Sequence, residues 1–276
     1  VGVYTLTMPA VAQEPGVSLY RGEDRETQDI VWVKAYQRDM LATGSTRDVD
    51  KLVLLRDAVA LRHLRGHRSI PEYLVRDDTG GEVVYVVLRR EAGQFLRWHM
   101  ERDNLSLATR LAILTQLLDG LAHIHAHRDG NRTALYRDLR PESVFVTSSG
   151  VVQLFNFDCS RLPAAATTHE YARQKAALWQ AYASYELRNG TPDQIGPPTD
   201  VYSWGVVAYE LLTGMLPYPD KKAQARGEFT ALVAANLALP AALVAQIEQC
   251  LRLDADQRPT IAALHHALEE ARSVGG

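Results

Sequence analysis

The spacing of hydrophobic positions changes character about one third of the way along the chain. Up to about residue 90, short runs of β-branched and aromatic residues lie between Pro, Gly and charged turns. Val3–Leu6, Val17–Tyr20 and Ile30–Tyr36 therefore read as strands. One helical interval interrupts them, with Leu52, Leu55, Ala58, Val59, Leu61 and Leu64 at helical spacing. A hairpin follows, in which Tyr73–Val75 and Val83–Leu88 flank the turn cluster Asp77-Asp78-Thr79-Gly80-Gly81.

From about residue 95 the period is helical. Leu107, Leu111, Leu114, Leu118 and Leu121 mark one apolar face of a long helix running to about His127. A small hairpin, Val144–Thr147 and Val151–Phe155, turns at Ser148-Ser149-Gly150. Residues 200–214 are apolar nearly all round, which predicts a helix buried in a helical core, and two more helices are expected near 240–251 and 259–272. Strands first and helices afterwards imply α+β segregation, with one domain split into a β-rich lobe over about 1–90 and a helical lobe over about 91–276.

Composition narrows the function classes. With 46% hydrophobic and 23% charged residues, the 276-residue chain has material for a large core and lies outside the disordered class. A formal net charge of −3 gives no electrostatic reason to expect nucleic acid or an anionic membrane as partner. The run Arg62, Arg65, His67 and Arg68 reads as a solvated helix end. Cys159 and Cys250 are too few for a disulfide framework, so a reducing, cytoplasmic setting is expected. No apolar run approaches the roughly 18 residues that span a bilayer. His123 and His127 share a helix face, but without a neighbouring Glu in a zinc-protease pattern they predict a polar helix end. Val1 in place of an initiating Met suggests a domain of a longer protein.

Candidate chemistry is concentrated in ordered motifs. Val31-Trp32-Val33-Lys34 sits on an expected strand, and Tyr136-Arg137-Asp138-Leu139-Arg140-Pro141-Glu142-Ser143 follows the long helix. Asn156-Phe157-Asp158 begins 18 residues beyond Asp138. Ser184-Tyr185-Glu186, Asp200-Val201-Tyr202-Ser203-Trp204-Gly205 and Gln257-Arg258-Pro259 come later. In this order they resemble the V-A-I-K strand, the H-R-D-x-x-x-x-N catalytic loop, D-F-G, A-P-E, the buried large-lobe helix and its late Arg in eukaryotic-type protein kinases. The resemblance covers almost the whole chain and implies the bilobal kinase fold.

It also assigns each position a role. Asp138 would be the catalytic base, and Arg140 stands where the family has a Lys that contacts the γ-phosphate. Lys34 would pair with a helix carboxylate, here Asp57 if Leu61 and Leu64 fix the register. Trp32, Leu88 and Phe145 fall at nucleotide-site positions. Ser143 and Asn156 fall at the two magnesium positions, and both are neutral, a poor match to a hard cation. Asp158, two residues along, is a candidate substitute ligand. The glycine-rich loop maps to Ala12-Gln13-Glu14-Pro15-Gly16-Val17, where Glu14 would repel phosphate and Pro15 lacks an amide donor. Trp32, two residues before Lys34, points to the same strand face and would fill the adenine slot together with Phe145.

Leu61, Tyr136 and Phe157 can still stack as a hydrophobic column, and Glu186, Asp200 and Arg258 keep the large-lobe scaffold. The resemblance thus implies a pseudokinase that regulates or binds flanking domains or protein partners, with no essential cofactor. The alternative is an atypical Ser/Thr kinase that uses ATP and magnesium with Asp138 as base. The activation segment, Pro163 to Gln180 with Thr167, Thr168 and Tyr171, is expected to be a mobile loop open to phosphorylation near Arg137.

Overall fold

The structure, a computed structural model, describes residues 3–14, 16–37, 56–77, 83–162, 169–232 and 239–274. Five antiparallel strands form the first lobe: β1 (Tyr4–Glu14), β2 (Val17–Asp24), β3 (Ile30–Gln37), β4 (Tyr73–Asp77) and β5 (Val83–Arg89), in the order β1-β2-β3-β5-β4. A helix, α1, is described over 56–63 and lies in sequence between β3 and β4. Leu52, Leu55 and residues 78–81 of the expected turn lie outside the described residues. β1 is much longer than the expected Val3–Leu6. Its register with β2 shifts between Thr7 and Ala12, so the alternation that betrays a strand is broken there. Beyond the bulge β1 continues to Glu14, which pairs with Val17 across a tight turn. Gly16 occupies that turn at φ 76°, a left-handed conformation that glycine adopts without strain.

β3 is central and its six inner residues are all buried. Its two faces do different work. Val31 and Val33 pack with Val87 in a small cluster under Tyr4, Leu6 and Tyr20. Trp32 faces the opposite way, into the main core that runs through both lobes. The period-2 rule therefore puts Trp32 and Lys34 on the face that looks toward the helical lobe.

That lobe contains α2 (Leu96–Arg102), α3 (Leu107–Ala126), α4 (His169–Leu178), α5 (Tyr185–Asn189), α6 (Pro197–Thr213), α7 (Lys221–Arg226), α8 (Ala241–Cys250) and α9 (Ile261–Val274). A three-stranded sheet joins β6 (Gly93–Phe95) to β9 (Val144–Thr147) and β10 (Val152–Leu154) at the lobe junction. A two-stranded ribbon, β7 (Arg128–Asp129) and β8 (Arg132–Thr133), precedes the loop of Tyr136 to Ser143. α6 is buried without a break from Thr199 to Leu212, as its all-round apolar sequence predicts. Trp204 donates its indole N–H to the Leu114 carbonyl at 3.1 Å, tying α6 to α3. Gly205 lets α8 approach closely, since a Cβ there would collide with Cys250. The expectation of a mobile loop for the activation segment is corrected from residue 169 onward, where α4 and a following 3₁₀ turn are formed. No described helix is long and apolar enough to cross a membrane.

Candidate functional site

The loop of Tyr136 to Ser143 is held from below by α6. Asp200, fully buried near the start of that helix, accepts from the Tyr136 amide at 2.9 Å and the Arg137 amide at 2.7 Å. His125 Nε2 lies 2.8 Å from the same carboxylate. His125 is thus part of the scaffold, and His123 bonds the Leu64 carbonyl at 2.7 Å. Arg137 adopts φ 64° and donates to the Cys159 carbonyl at 2.7 Å. Farther out, Arg258 grips Glu186 with two N–H groups at 2.6 and 3.0 Å. The guanidinium and its hydrogen bonds hold the Glu186 carboxyl below its usual range, although burial works the other way.

Lys34 reaches Asp57 of α1 across the first lobe, with Nζ 3.0 Å from Oδ2. The same oxygen accepts from the Tyr36 hydroxyl at 2.6 Å, and Oδ1 accepts from the Phe157 amide at 2.8 Å. Asp is one methylene shorter than the Glu of the resemblance, and the pair closes directly all the same. Asp57 thereby joins α1, β3 and the Asn156-Phe157-Asp158 turn. Tyr36 carries no motif, and the bond from the Phe157 amide is a backbone contact that the Asn156-Phe157-Asp158 motif does not specify. Leu61, Tyr136 and Phe157 are all buried in one core, with the Tyr136 and Phe157 rings 5.2 Å apart.

Trp32 is almost wholly buried. Its indole meets Phe145 edge-on at 5.6 Å, Phe95 at 6.2 Å and Phe155 at 6.4 Å, and Leu88 faces it in register on β5. Aromatic rings now sit at the positions where the resemblance places adenine. The sequence offered Trp32 and Phe145 for this cluster but not Phe95 and Phe155, which come from β6 and the residue after β10. Below the cluster a cavity of about 210 Å³ persists, lined by Glu14, Lys34, Phe95, Arg140, Asn156 and Trp179 among others. That is less than the roughly 300–1,000 Å³ of small-molecule sites.

The phosphate side of the cleft is filled by charged side chains of the protein itself. Arg140 donates to Asp138 Oδ1 at 2.9 Å and, through Nη2, to Glu14 Oε1. Its guanidinium lies 4.0 Å from the centre of the Trp179 ring. Lys175, from α4, is buried with Nζ 3.0 Å from both oxygens of Asp158, 3.1 Å from Asp138 Oδ2 and 3.2 Å from Glu14 Oε2. One helical turn before it, Tyr171 donates to Asp158 at 2.9 Å. Asn156, in the left-handed region at φ 64°, offers Nδ2 to Glu14 at 3.4 Å.

Electrostatics favour the charged forms of Asp158, Glu14 and Lys175. Burial would raise the carboxyl of Asp158, but the charges of Lys175 and Lys34 and the hydrogen bonds from Lys175 and Tyr171 hold it well below the carboxylate range. Burial likewise opposes ionisation of Glu14, and Lys175 and Arg140 overcome it. Lys175 is driven well above its ordinary value by Asp138 and Asp158 despite the desolvation that works against its charge. Glu14 was read from sequence as a carboxylate that would repel phosphate. The structure adds that it is bound by Arg140 and Lys175. Lys175 and Trp179 were missed outright; the helix-forming stretch His169 to Leu178 was the available signal.

A divalent metal does not fit the donor set as it stands. Ser143 Oγ accepts from the Arg140 amide and lies 2.6 Å from the Asp138 carbonyl and 3.0 Å from the Arg140 carbonyl, its one proton serving the closer of the two. Asp138, Asp158 and Cys159 do bring one donor atom each to within 4.8 Å of one another. Burial pushes the Cys159 thiol well above its usual value, which keeps it protonated and a weak ligand. Both carboxylates face the Lys175 ammonium.

Residues 16–268 match the family described as protein kinase domain. The chain is 37% identical over 205 residues to cyclin-dependent kinase-like 1 of Caenorhabditis elegans, covering 74% of this chain and 53% of that protein. It is 36% identical over 214 residues to serine/threonine-protein kinase PknL of Mycobacterium tuberculosis, covering 77% of this chain and 50% of that protein. Similarity to the mouse serine/threonine-protein kinase Nek2 is 28% over 186 residues, with 63% of this chain and 40% of that protein covered. The chain spans about half the length of the curated relatives it matches, or less.

Proposed function

This chain belongs to the protein kinase family, and we propose that within it the domain works as a pseudokinase, with absent or weak phosphotransfer. It acts by binding a protein partner or by regulating flanking domains of its own chain in the cytoplasm, and needs neither ATP nor magnesium to do so. The observation that carries this reading is the occupation of the cleft from within. Trp32 fills the adenine slot, and Lys175 draws Asp138, Asp158 and Glu14 to a single point, with Arg140 as a second cation on Asp138 and Glu14.

Phosphoryl transfer depends on positioning and on charge neutralisation around the γ-phosphoryl group. For Asp138 to accept a proton from a substrate hydroxyl, the hydroxyl would have to reach a buried carboxylate already bonded to Lys175 and Arg140. For a triphosphate to reach Arg140, Glu14 would have to leave first. Each exchange trades a buried ion pair for a new one, which costs desolvation without a preformed gain.

Thermal melting tests the reading directly. With ATP and magnesium or manganese the midpoint is expected to stay where ATP-free protein melts, and a clear metal-dependent rise with ATP would overturn the proposal. The second reading, an active Ser/Thr kinase, is favoured by two features: the Lys34–Asp57 pair is closed and Asp138 is present. On that reading α4 must withdraw before nucleotide binds.

A further inference from the structure

The Lys175 position bears on the metal that the family implies and this donor set does not suit. We propose that Lys175 is the domain's own replacement for that metal. Its ammonium gathers Asp138, Asp158 and Glu14, so that the cleft closes without a divalent ion and turns one away. The inference rests on the pseudokinase reading and extends it to how the site is held.

The geometry is that of a cation site. Carboxylates from the β1–β2 turn, the catalytic loop and the turn after β10 converge on Nζ at 3.2, 3.1 and 3.0 Å. An ammonium has three N–H donors, and here it meets three carboxylates. Divalent magnesium binds oxygen at about 2.1 Å and calcium at about 2.3–2.6 Å, so an ion in place of Nζ would need the oxygens to close in by less than roughly 1.2 Å.

The placement of Lys175 is built into α4. Tyr171 and Lys175, one turn apart on one helix face, both bond Asp158. On the packed side Ala172 and Ala176 lie against Leu135, Cys159 and Leu187. The helix therefore docks with its lysine in a fixed register, not as a loosely hanging side chain. Asn156 and Ser143, the formal metal positions, are turned to internal bonds.

Replacing Lys175 by an apolar residue would leave three carboxylates facing one another, with Arg140 still bound to two of them and Lys34 acting on Asp158 through space. Such a cluster should recruit the divalent ion that the ammonium displaces. The test is thermal melting of ATP-free protein in EDTA and in millimolar Mg²⁺, Mn²⁺ or Ca²⁺. The unaltered domain is expected to melt at one temperature in all of them. Lys175→Met should melt lower in EDTA and rise by roughly 5 °C or more when an ion at about a hundred times its dissociation constant is present.

Lys175→Met/Glu14→Gln, with one carboxylate fewer, should fold more readily and show a smaller rise. The inference is overturned if Lys175→Met gains no metal response, or if the unaltered domain already responds. It is also overturned if neither variant folds even with the ion supplied, because an ion seated at Nζ should restore the cluster. Failure here is separable from failure of the pseudokinase reading, which turns only on samples that contain ATP.

Discussion

Two buried ionic networks lie on opposite sides of the catalytic loop, and they are built differently. Beneath it, Asp200 accepts from the main chain at Tyr136 and Arg137. Above it, Glu14, Asp138, Arg140, Asp158 and Lys175 bond chiefly to one another's side chains. An acceptor for backbone amides is needed whatever chemistry the loop performs, because a buried amide without a partner is costly. A network of side chains has no such duty to the chain path. It can be rebuilt around a new cation while the loop keeps its shape, and the kinase scaffold and a self-filled cleft then coexist.

The largest expected effect falls on the lower network. Asp200→Ala strands two buried amides and the His125 ring, at roughly 1–3 kcal/mol for each lost partner. Urea unfolding should register the combined loss, and a change below about 1 kcal/mol would show that the loop does not depend on α6.

Trp32→Ala comes next. It removes the centre of the aromatic cluster and should cost about 3–5 kcal/mol, since the three remaining phenyl rings cannot collapse into the space of one indole. Adenosine added to this variant should raise its melting point, whereas the unaltered domain should show no response. No gain for the variant would mean that the slot is not where adenine would sit.

Glu14→Gln is milder. The amide oxygen can still accept from Arg140, and Lys175 keeps Asp138 and Asp158, so the loss should be roughly 1–2 kcal/mol. Its pH dependence sharpens the comparison. Glu14 and Asp158 ionise below their ordinary values of 4.5 and 3.8, so their contribution is complete above those values and vanishes as pH falls through the lower folded ones. Lys175 ionises above 10.5, so its contribution is complete below that value and vanishes as pH rises through the higher folded one. The stability gap between the unaltered domain and Glu14→Gln should thus be flat from about pH 5 to pH 9 and shrink in acid. A gap that widens below about pH 4 would contradict the assignment of Glu14 to the network.

The smallest effect is expected at Arg173→Ala. Its partner Glu170 lies on the exposed side of α4, and exposed pairs contribute little. The melting point should not move measurably; a large drop would mean that α4 is held by its outer face and not by Lys175.

Much of this molecule is legible in its sequence, and the illegible part has a common cause. Strand Lys34, the loop of Asp138, the buried 200–214 helix and the Glu186 and Arg258 pair are readable because spacing within a motif fixes them. Trp32 is readable because the period of a strand puts it beside Lys34. Phe95 and Phe155 are not, because they reach the indole from separate elements whose meeting is a tertiary fact. Lys175 was hidden for the same reason: it lies outside every motif, and only the docking of α4 brings it to Asp158. Glu14 is legible in position but not in its partners. Its charge was weighed against a phosphate, without the Arg140 and Lys175 that hold it.

The most direct test of the closed cleft is phosphotransfer itself. The unaltered domain is incubated with γ-labelled ATP and magnesium or manganese, beside Asp138→Ala, and incorporated label is counted. The account predicts no incorporation above that of the variant. Label that accumulates in the unaltered domain and disappears with Asp138→Ala would contradict it, and would mean that α4 and Glu14 leave the cleft to let an active kinase work.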